Sequence, residues 1–249
     1  MSLLEGIGLT RRYKLRDRTV EALSGVSLRL EEGEILGVAG ESGSGKSTLL
    51  RLLSGLEAPE AGEILLRGKA LPPRRSKEEY RAIQMIFQDA TASFNPRRTI
   101  EASIRDHVRS LRGKGSVPEL DALAGTVGLS RELMRRYPRQ LSGGQCQRFA
   151  IARAVAAGPE VLLCDEITSA LDVSSQAQIL RLLAGICREK GMSAVFVSHD
   201  LAVVSCVCDR VMVMKDGRLV EEGAVRRIID APKEEYTKKL LDSVLEIRS

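Results

Sequence analysis

The residues best equipped for chemistry form one short run, Gly40-Glu41-Ser42-Gly43-Ser44-Gly45-Lys46-Ser47, continued by Thr48 and Leu49-Leu50. The run fits G-x-x-x-x-G-K-[ST], a loop that cradles phosphate groups. Glycines let successive backbone N–H groups turn inward on phosphate oxygens where a side chain would block them. The helix that follows adds unpaired N–H donors and partial positive charge. Lys46 would reach the β- and γ-phosphates, and the Ser47 hydroxyl would be a Mg²⁺ ligand. This chemistry needs a strand before the loop and a helix after it. Residues 34–39 read as a short buried strand, and residues 47–54 as a helix with one apolar face.

A second constellation lies far along the chain. Val161-Leu162-Leu163-Cys164 is a buried strand that ends in two adjacent carboxylates, Asp165 and Glu166. Asp165 would hold Mg²⁺ directly or through water, and Glu166, expected on the opposite strand face, would polarise an attacking water. His199 ends another buried strand, Ala194–Ser198, where a γ-phosphate contact is wanted. Ser142-Gly143-Gly144 opens a helix with an N-cap serine and bare backbone N–H groups, a second anion site without a lysine. Tyr13, among basic residues, could stack on a base or be a half-buried strand aromatic; local sequence leaves both open.

The elements that must position these groups follow from the punctuation of the chain. With 249 residues there is room for one large α/β domain with a sub-domain. Residues 3–38 break into short apolar segments between turn signals, and Val26–Leu30 alternates with period two. Ile83–Phe87 reads as a buried strand ending at Gln88-Asp89, with a turn-rich loop after it. From Ile100 to about Gly158 helical spacing takes over, including Leu120–Leu129 and Arg131–Tyr137. Residues 210–223 read as a hairpin with a Lys-Asp-Gly turn, and residues 232–249 as a polar helix.

Composition excludes several classes. The net charge of +5 suits an anionic ligand or an acidic surface without choosing between them. The start lacks the pattern of a signal peptide, and no apolar run approaches the length of a membrane span. Five cysteines without a secretion signal suit reduced thiols in a cytosolic protein. Cys206 and Cys208 have only His107 and His199 besides the other cysteines, so they do not read as a metal site.

In this order and spacing the motifs resemble the ATP-binding subunits of ABC transporters, over essentially the whole chain. The signature Leu141-Ser142-Gly143-Gly144-Gln145 is highly specific when it accompanies the phosphate loop and Asp165-Glu166. The resemblance implies one ABC ATPase domain over residues 1–249, of α/β class: a P-loop NTPase core over about 1–88 and 159–249. It further implies an N-terminal antiparallel β sub-domain and an inserted helical sub-domain over about 89–158. It implies ATP and Mg²⁺, held by the loop from Gly40 through Thr48 with Glu41, Ser42, Gly43, Ser44 and Gly45, and by Gln88 and Asp165. Glu166, His199 and Lys46 become the catalytic groups, and Tyr13 the adenine-stacking aromatic. Asp172 would cross a dimer interface, and Ser142, Gly143, Gly144 and Gln145 would cap the nucleotide of a second subunit.

The resemblance narrows to the dipeptide/oligopeptide/nickel importer branch, and within it to the second ATPase subunit. It rests on Met85–Asp89, Ser93–Ile100, Thr168–Ser174 and Tyr236–Leu241. Ala90 and Ile167 stand where the branch usually has proline, and Phe94 where leucine is usual. Ile167 frees the backbone after Glu166. A cysteine-bearing extension seen in many oligopeptide ATPases is missing, which tilts the expectation towards nickel or a shorter relative. Implied partners are a second ATPase subunit (a related chain or a second copy), two integral membrane permeases and, indirectly, an extracytoplasmic solute-binding protein. The expected place is peripheral, on the cytoplasmic face of the membrane, and no nucleic acid is expected. The competing class is a soluble ABC-type ATPase acting on nucleic acid or ribosomes; the chain has neither the coiled-coil insertion nor the tandem cassettes usual there.

Overall fold

The computed structural model describes residues 2–14, 17–168 and 173–246; Asp172, a candidate above, lies outside the described residues. In chain order the elements are β1 (Ser2–Lys14), β2 (Thr19–Glu31), β3 (Ile35–Ala39), α1 (Lys46–Ser54), β4 (Ala61–Leu66), β5 (Lys69–Ala70), α2 (Lys77–Ala82), β6 (Ile83–Ile86), α3 (Ile100–Arg112) and α4 (Leu120–Thr126). There follow α5 (Gly143–Ala156), β7 (Val161–Asp165), α6 (Val173–Lys190), β8 (Ser193–Ser198), α7 (Leu201–Ser205), β9 (Arg210–Lys215), β10 (Arg218–Ala224), α8 (Val225–Asp230) and α9 (Glu235–Glu246). They group into two compact units, Met1–Arg74 with Ser193–Ser249, and Arg75–Met192.

The first unit carries an antiparallel sheet in the order β2-β1-β4-β5 and a second set in the order β10-β9-β3-β8. In the second set β3 runs parallel to both β8 and β9, and β10 returns antiparallel to β9. Every residue of β3 and of β8 is buried, as a parallel strand covered on both faces requires. β2 alternates inside and outside from Val26 to Leu30, as the period-two pattern predicts.

The N-terminal segments differ from the sequence reading. The short pieces expected over residues 3–38 are two 13-residue strands. Glycine punctuation is absorbed as irregularities of pairing: the β1–β2 register shifts between Gly6 and Leu9, and Gly8 takes φ +60°. Hydroxyls fill the gaps in the ladder, Gly8 N–H donating to Ser27 Oγ (2.9 Å) and Gly25 N–H to Thr10 Oγ1 (3.1 Å).

The Lys-Asp-Gly hairpin forms as expected. Asp216 and Gly217 both have positive φ, +47° and +74°, the combination that matches the twist of a two-residue hairpin. Its tip is tied inward. Gly217 N–H donates to Ser44 O (3.1 Å), and Ser24 N–H donates to Gly217 O (2.9 Å). The helix expected over residues 232–249 is α9, and its inner face is not polar throughout: Thr237 and Leu240 are buried.

In the second unit β6 and β7 pair in parallel, Ile83 with Val161 through Ile86 with Cys164. The helical stretch is less regular than its spacing predicts. α4 ends before Gly128 at φ +66°, and residues 131–135 form a 3₁₀ turn instead of a helix. Pro138 explains that stop, since a residue before proline is pushed out of the α region, and Tyr137 is extended. α5 is buried on several sides at once, through Cys146, Phe149, Ile151 and Val155 among others.

Within this unit His107 of α3 is fixed to β6. Its Nε2 lies 2.8 Å from Gln84 Oε1, and burial, helped by the Arg153 guanidinium, pushes the imidazole down to about 4. With an ordinary unfolded value near 6.5, the unfolded chain binds a proton between pH 6.5 and 4 that the folded chain refuses. The stability contributed by neutral His107 is therefore full above about pH 6.5 and is lost as pH falls towards 4. Replacing His107 by Gln should flatten that part of the pH–stability curve by roughly 1–3 kcal/mol between pH 7 and 4.5, read by urea unfolding. In the first unit a Cβ on Gly37 of β3 would lie 2.0 Å from Val204 Cγ1 and 3.2 Å from Cys208 Sγ. Gly37→Ala should cost about 1–3 kcal/mol in the same measurement, as overpacked cores do.

Candidate functional site

The phosphate loop occupies the turn from β3 into α1. Gly40, Gly43 and Gly45 all have positive φ, at +155°, +84° and +101°. Two of the three are also fixed by neighbours. A Cβ on Gly40 would meet Met214 O at 2.2 Å, and one on Gly45 would meet Ala22 O at 2.4 Å. The loop tip, Glu41 to Gly43, is exposed. α1 starts without a side-chain cap and has no acidic residue in its first turn, so its N-terminal dipole is not compensated from within the helix.

Lys46 folds back into this loop. Its Nζ donates to Gly40 O (2.7 Å), Glu41 O (2.8 Å) and, more weakly, Ser44 Oγ (3.5 Å), and the residue is 4% exposed. A buried ammonium needs such acceptors, and the same three place its charge at the mouth of the glycine turn. Ser47 and Thr48 are half-buried at the start of α1. The Glu41 N–H faces away and donates to the Tyr236 hydroxyl at 3.1 Å.

Two other candidates lie in the first unit. Tyr13 sits near the end of β1, half-buried, its hydroxyl donating to Glu57 Oε2 (2.7 Å) and its ring 5.2 Å from the Arg11 guanidinium carbon. His199 is exposed directly after β8, at a turn where Asp200 N–H donates to Ser198 Oγ (3.0 Å).

In the second unit β7 delivers the carboxylate pair. Asp165 is the last strand residue and is 8% exposed. Glu166 does not continue the strand to its other face, as the sequence reading has it. It takes φ +44°, a left-handed conformation that costs a non-glycine residue on the order of 1 kcal/mol. The backbone turn, not the strand alternation, aims this carboxylate. Ile167 and Thr168 then bury themselves, and Thr168 O accepts from Gln176 Nε2 of α6 (3.0 Å).

Gln88 and Asp89 are exposed after β6, and the turn behind them is ordered by Ala92 N–H donating to Asp89 Oδ1 (2.8 Å). Ser142 caps α5 as expected, accepting from Gln145 N–H (3.3 Å). The cap is reciprocal, because Gln145 Oε1 accepts from Ser142 N–H (3.0 Å). The signature thus reads as a self-bracing helix start with Gly143 exposed at its tip.

The structure brings Gln88, Gly143 and Ile167 to one cleft of about 320 Å³, whose wall also includes Ala90 and Gln147. Both departures from the branch's prolines therefore fall on one surface. The third departure is explained by Arg153, which lies over the Phe94 ring at 4.4 Å and donates to Ser93 O (2.6 Å) and Ser93 Oγ (3.1 Å). α5 thereby holds the loop that follows Gln88.

Sequence reasoning missed Arg153, Gln147 and Tyr236. Gln147 is 3% exposed, belongs to the lining of that cleft and has no hydrogen-bond partner for its Nε2. Gln147 and Arg153, two of the four long polar side chains that interrupt the apolar pattern of α5, were the available signals.

A model of the ABC transporter family matches residues 23–169. The chain is 44% identical over 259 residues to the oligopeptide transport ATP-binding protein OppF of Escherichia coli (strain K12), covering 97% of this chain and 77% of that protein. It is 42% identical over 253 residues to the dipeptide transport ATP-binding protein DppF of the same organism, covering 97% and 76%. Among solved structures, the dimeric post-hydrolysis state of the ATP-binding cassette MJ0796 bound to ADP and Pi superposes with a TM-score of 0.78 at 29% identity, over 90% of this chain and 99% of that one. The chain belongs to the ABC transporter family as one of its ATPases.

Proposed function

We propose that this chain is the ATP-hydrolysing subunit of a peptide importer, and that it works as one half of a head-to-tail pair of cassettes. The observation that carries the reading is Lys46, a buried ammonium offered at a glycine turn whose helix lacks any acidic residue of its own. Triphosphate supplies the missing negative charge. Lys46 and the amides from Ser42 to Thr48 bind the β- and γ-phosphates, and Tyr13 takes the adenine.

The donor set fits magnesium. The Ser47 hydroxyl, the Asp165 carboxylate and the Gln88 amide oxygen are hard oxygen ligands of the kind that ion prefers, and Asp165 is fixed at the end of a buried strand. When bound, Mg²⁺ neutralises charge on the phosphate oxygens. Glu166 orients and polarises the attacking water, and His199 contacts the γ-phosphate.

A single glycine loop cannot surround a triphosphate. The exposed, self-capped start of α5 is the complementary piece: helix N–H groups and no acidic residue in the first turn. In the proposed pair the Ser142–Gln145 segment of each cassette caps the nucleotide on the Lys46 loop of the other, and Asp172 crosses the interface. ATP closes the pair, and hydrolysis reopens it. Gln88 and its neighbouring cleft transmit the change to two membrane permeases fed by an extracytoplasmic solute-binding protein.

The names of the relatives favour oligopeptides or dipeptides over nickel as the solute; the resemblance to the importer branch favours a related chain over a second copy as the partner. No helix among the described residues is long and apolar enough to cross a membrane, so attachment to the cytoplasmic face is proposed to run through the permeases.

Three measurements test this reading. Glu166→Gln should bind ATP and accumulate as a closed pair while turnover in the assembled transporter falls by about 10²–10⁴, the share of a general base; unchanged turnover would remove Glu166 from that role. Lys46→Ala should abolish ATP binding measured by calorimetry, and tight residual binding would contradict the phosphate-loop assignment. Affinity purification from membranes should recover two integral membrane proteins, whereas recovery of nucleic acid or ribosomes would support the other reading.

A further inference from the structure

The Tyr236–Leu241 segment marks the importer branch, yet no step of the ATPase cycle above uses it. Its first residue reaches the phosphate loop across 195 positions of sequence. The Glu41 N–H donates to the Tyr236 hydroxyl at 3.1 Å. The carbonyl on the other side of that same peptide unit, Gly40 O, accepts from Lys46 Nζ at 2.7 Å. A trans peptide is planar, with its N–H and C=O pointing in opposite directions, so fixing one fixes the other. We propose that Tyr236 is a positioning residue for nucleotide binding: its hydroxyl holds the Glu41 N–H and thereby aims the Gly40 carbonyl, and through it the Lys46 ammonium, at the phosphate site.

The surroundings of Tyr236 are built to keep it there. Lys215 Nζ lies 4.9 Å from the ring centre. The entry to α9 is held by Glu221 of β10, whose two carboxylate oxygens accept from Lys233 N–H (3.0 Å) and Glu234 N–H (3.2 Å). Burial alone would raise the Glu221 carboxyl, but those two amide donors hold it below the ordinary carboxylate range. Thr237, next to Tyr236, is fully buried. Burial, joined by the Glu41 and Asp216 carboxylates, raises the Tyr236 phenol above its ordinary value, so the hydroxyl stays protonated and neutral at physiological pH. A Cβ on Gly40 would already meet Met214 O at 2.2 Å, which shows how closely this part of the loop lies on the end of β9. Beyond it, Glu41, Ser42 and Gly43 are exposed, and a Cβ on Gly43 would meet nothing within 4 Å. The loop is therefore seated by its first peptide, and α9 supplies part of the seat.

Lys46 holds phosphate in the ground state and in the transition state alike. Loosening it uniformly raises KM for ATP without lowering kcat. Tyr236→Phe tests this, because it keeps the ring and its Lys215 contact and removes only the acceptor. In the purified full chain, Kd for ATP measured by calorimetry should rise about fivefold, the worth of one hydrogen bond. Amide exchange at Glu41, followed by NMR, should accelerate about tenfold. The thermal midpoint of the nucleotide-free chain should stay within about 2 °C, and turnover at saturating ATP in the assembled transporter should stay within about twofold. An unchanged Kd in Tyr236→Phe, with ATP binding intact in the wild type and lost in Lys46→Ala, would overturn this proposal alone. So would a Kd that rises only together with a fall in the thermal midpoint, because that marks a purely structural residue. A wild-type chain that binds no ATP would overturn the phosphate-loop reading and this proposal with it.

Discussion

A lysine ammonium removed from water is costly unless its donors are met, and Lys46 at 4% exposure is met by carbonyls of its own loop. Much of the first unit can be understood as arranging that contact. β3, buried along its whole length, brings the chain to Gly40. The β9–β10 hairpin gives the loop a floor at Met214 and a tether from Gly217 to Ser44. α1 begins where the lysine emerges and adds an uncompensated dipole. The two carbonyls satisfy the cation without neutralising it, so the net charge remains for a phosphate.

The second unit shows the same economy with a different helix. α5 begins in a reciprocal cap, which fixes the direction in which Gly143 presents its N–H, and carries Arg153 three turns further on. Arg153 grips Ser93 and stacks on Phe94, so the loop after Gln88 and the signature segment are mounted on a single rigid rod. Burial lowers the Arg153 guanidinium from its ordinary value, yet it remains charged, and the ring and carbonyl it touches compensate it. Phe94 in place of the usual leucine enlarges this contact by a ring face.

Much of this was legible in the sequence because the phosphate loop, the strand-borne carboxylates and the signature are local motifs whose chemistry depends on adjacent residues. The α/β class was legible for a similar reason, since buried strands and alternating strands leave different patterns, whereas the antiparallel N-terminal sheet was expected only from the family resemblance. What escaped was set by context. Hydroxyls at Ser27 and Thr10 carry β1 and β2 through glycines that look like breaks. Glu166 leaves its strand by a positive φ that no residue type announces. Residues 131–135 have helical spacing but are too short, and too close to Pro138, to propagate a helix. The contact from Tyr236 to Glu41 joins the ends of the chain, and no local pattern can encode it.

The first glycine of the phosphate loop has a meaning beyond its ligand. At Gly40 the space a side chain would fill is taken by the Met214 carbonyl, a backbone atom of β9, and not by the phosphate nest. The glycine at this position is thus required in part by how the loop is shelved on the sheet. A loop of this sequence transplanted to another scaffold would keep its amides and its lysine but lose the shelf. Portability of the site therefore depends on carrying the β9–β10 hairpin along with the eight residues that name the motif.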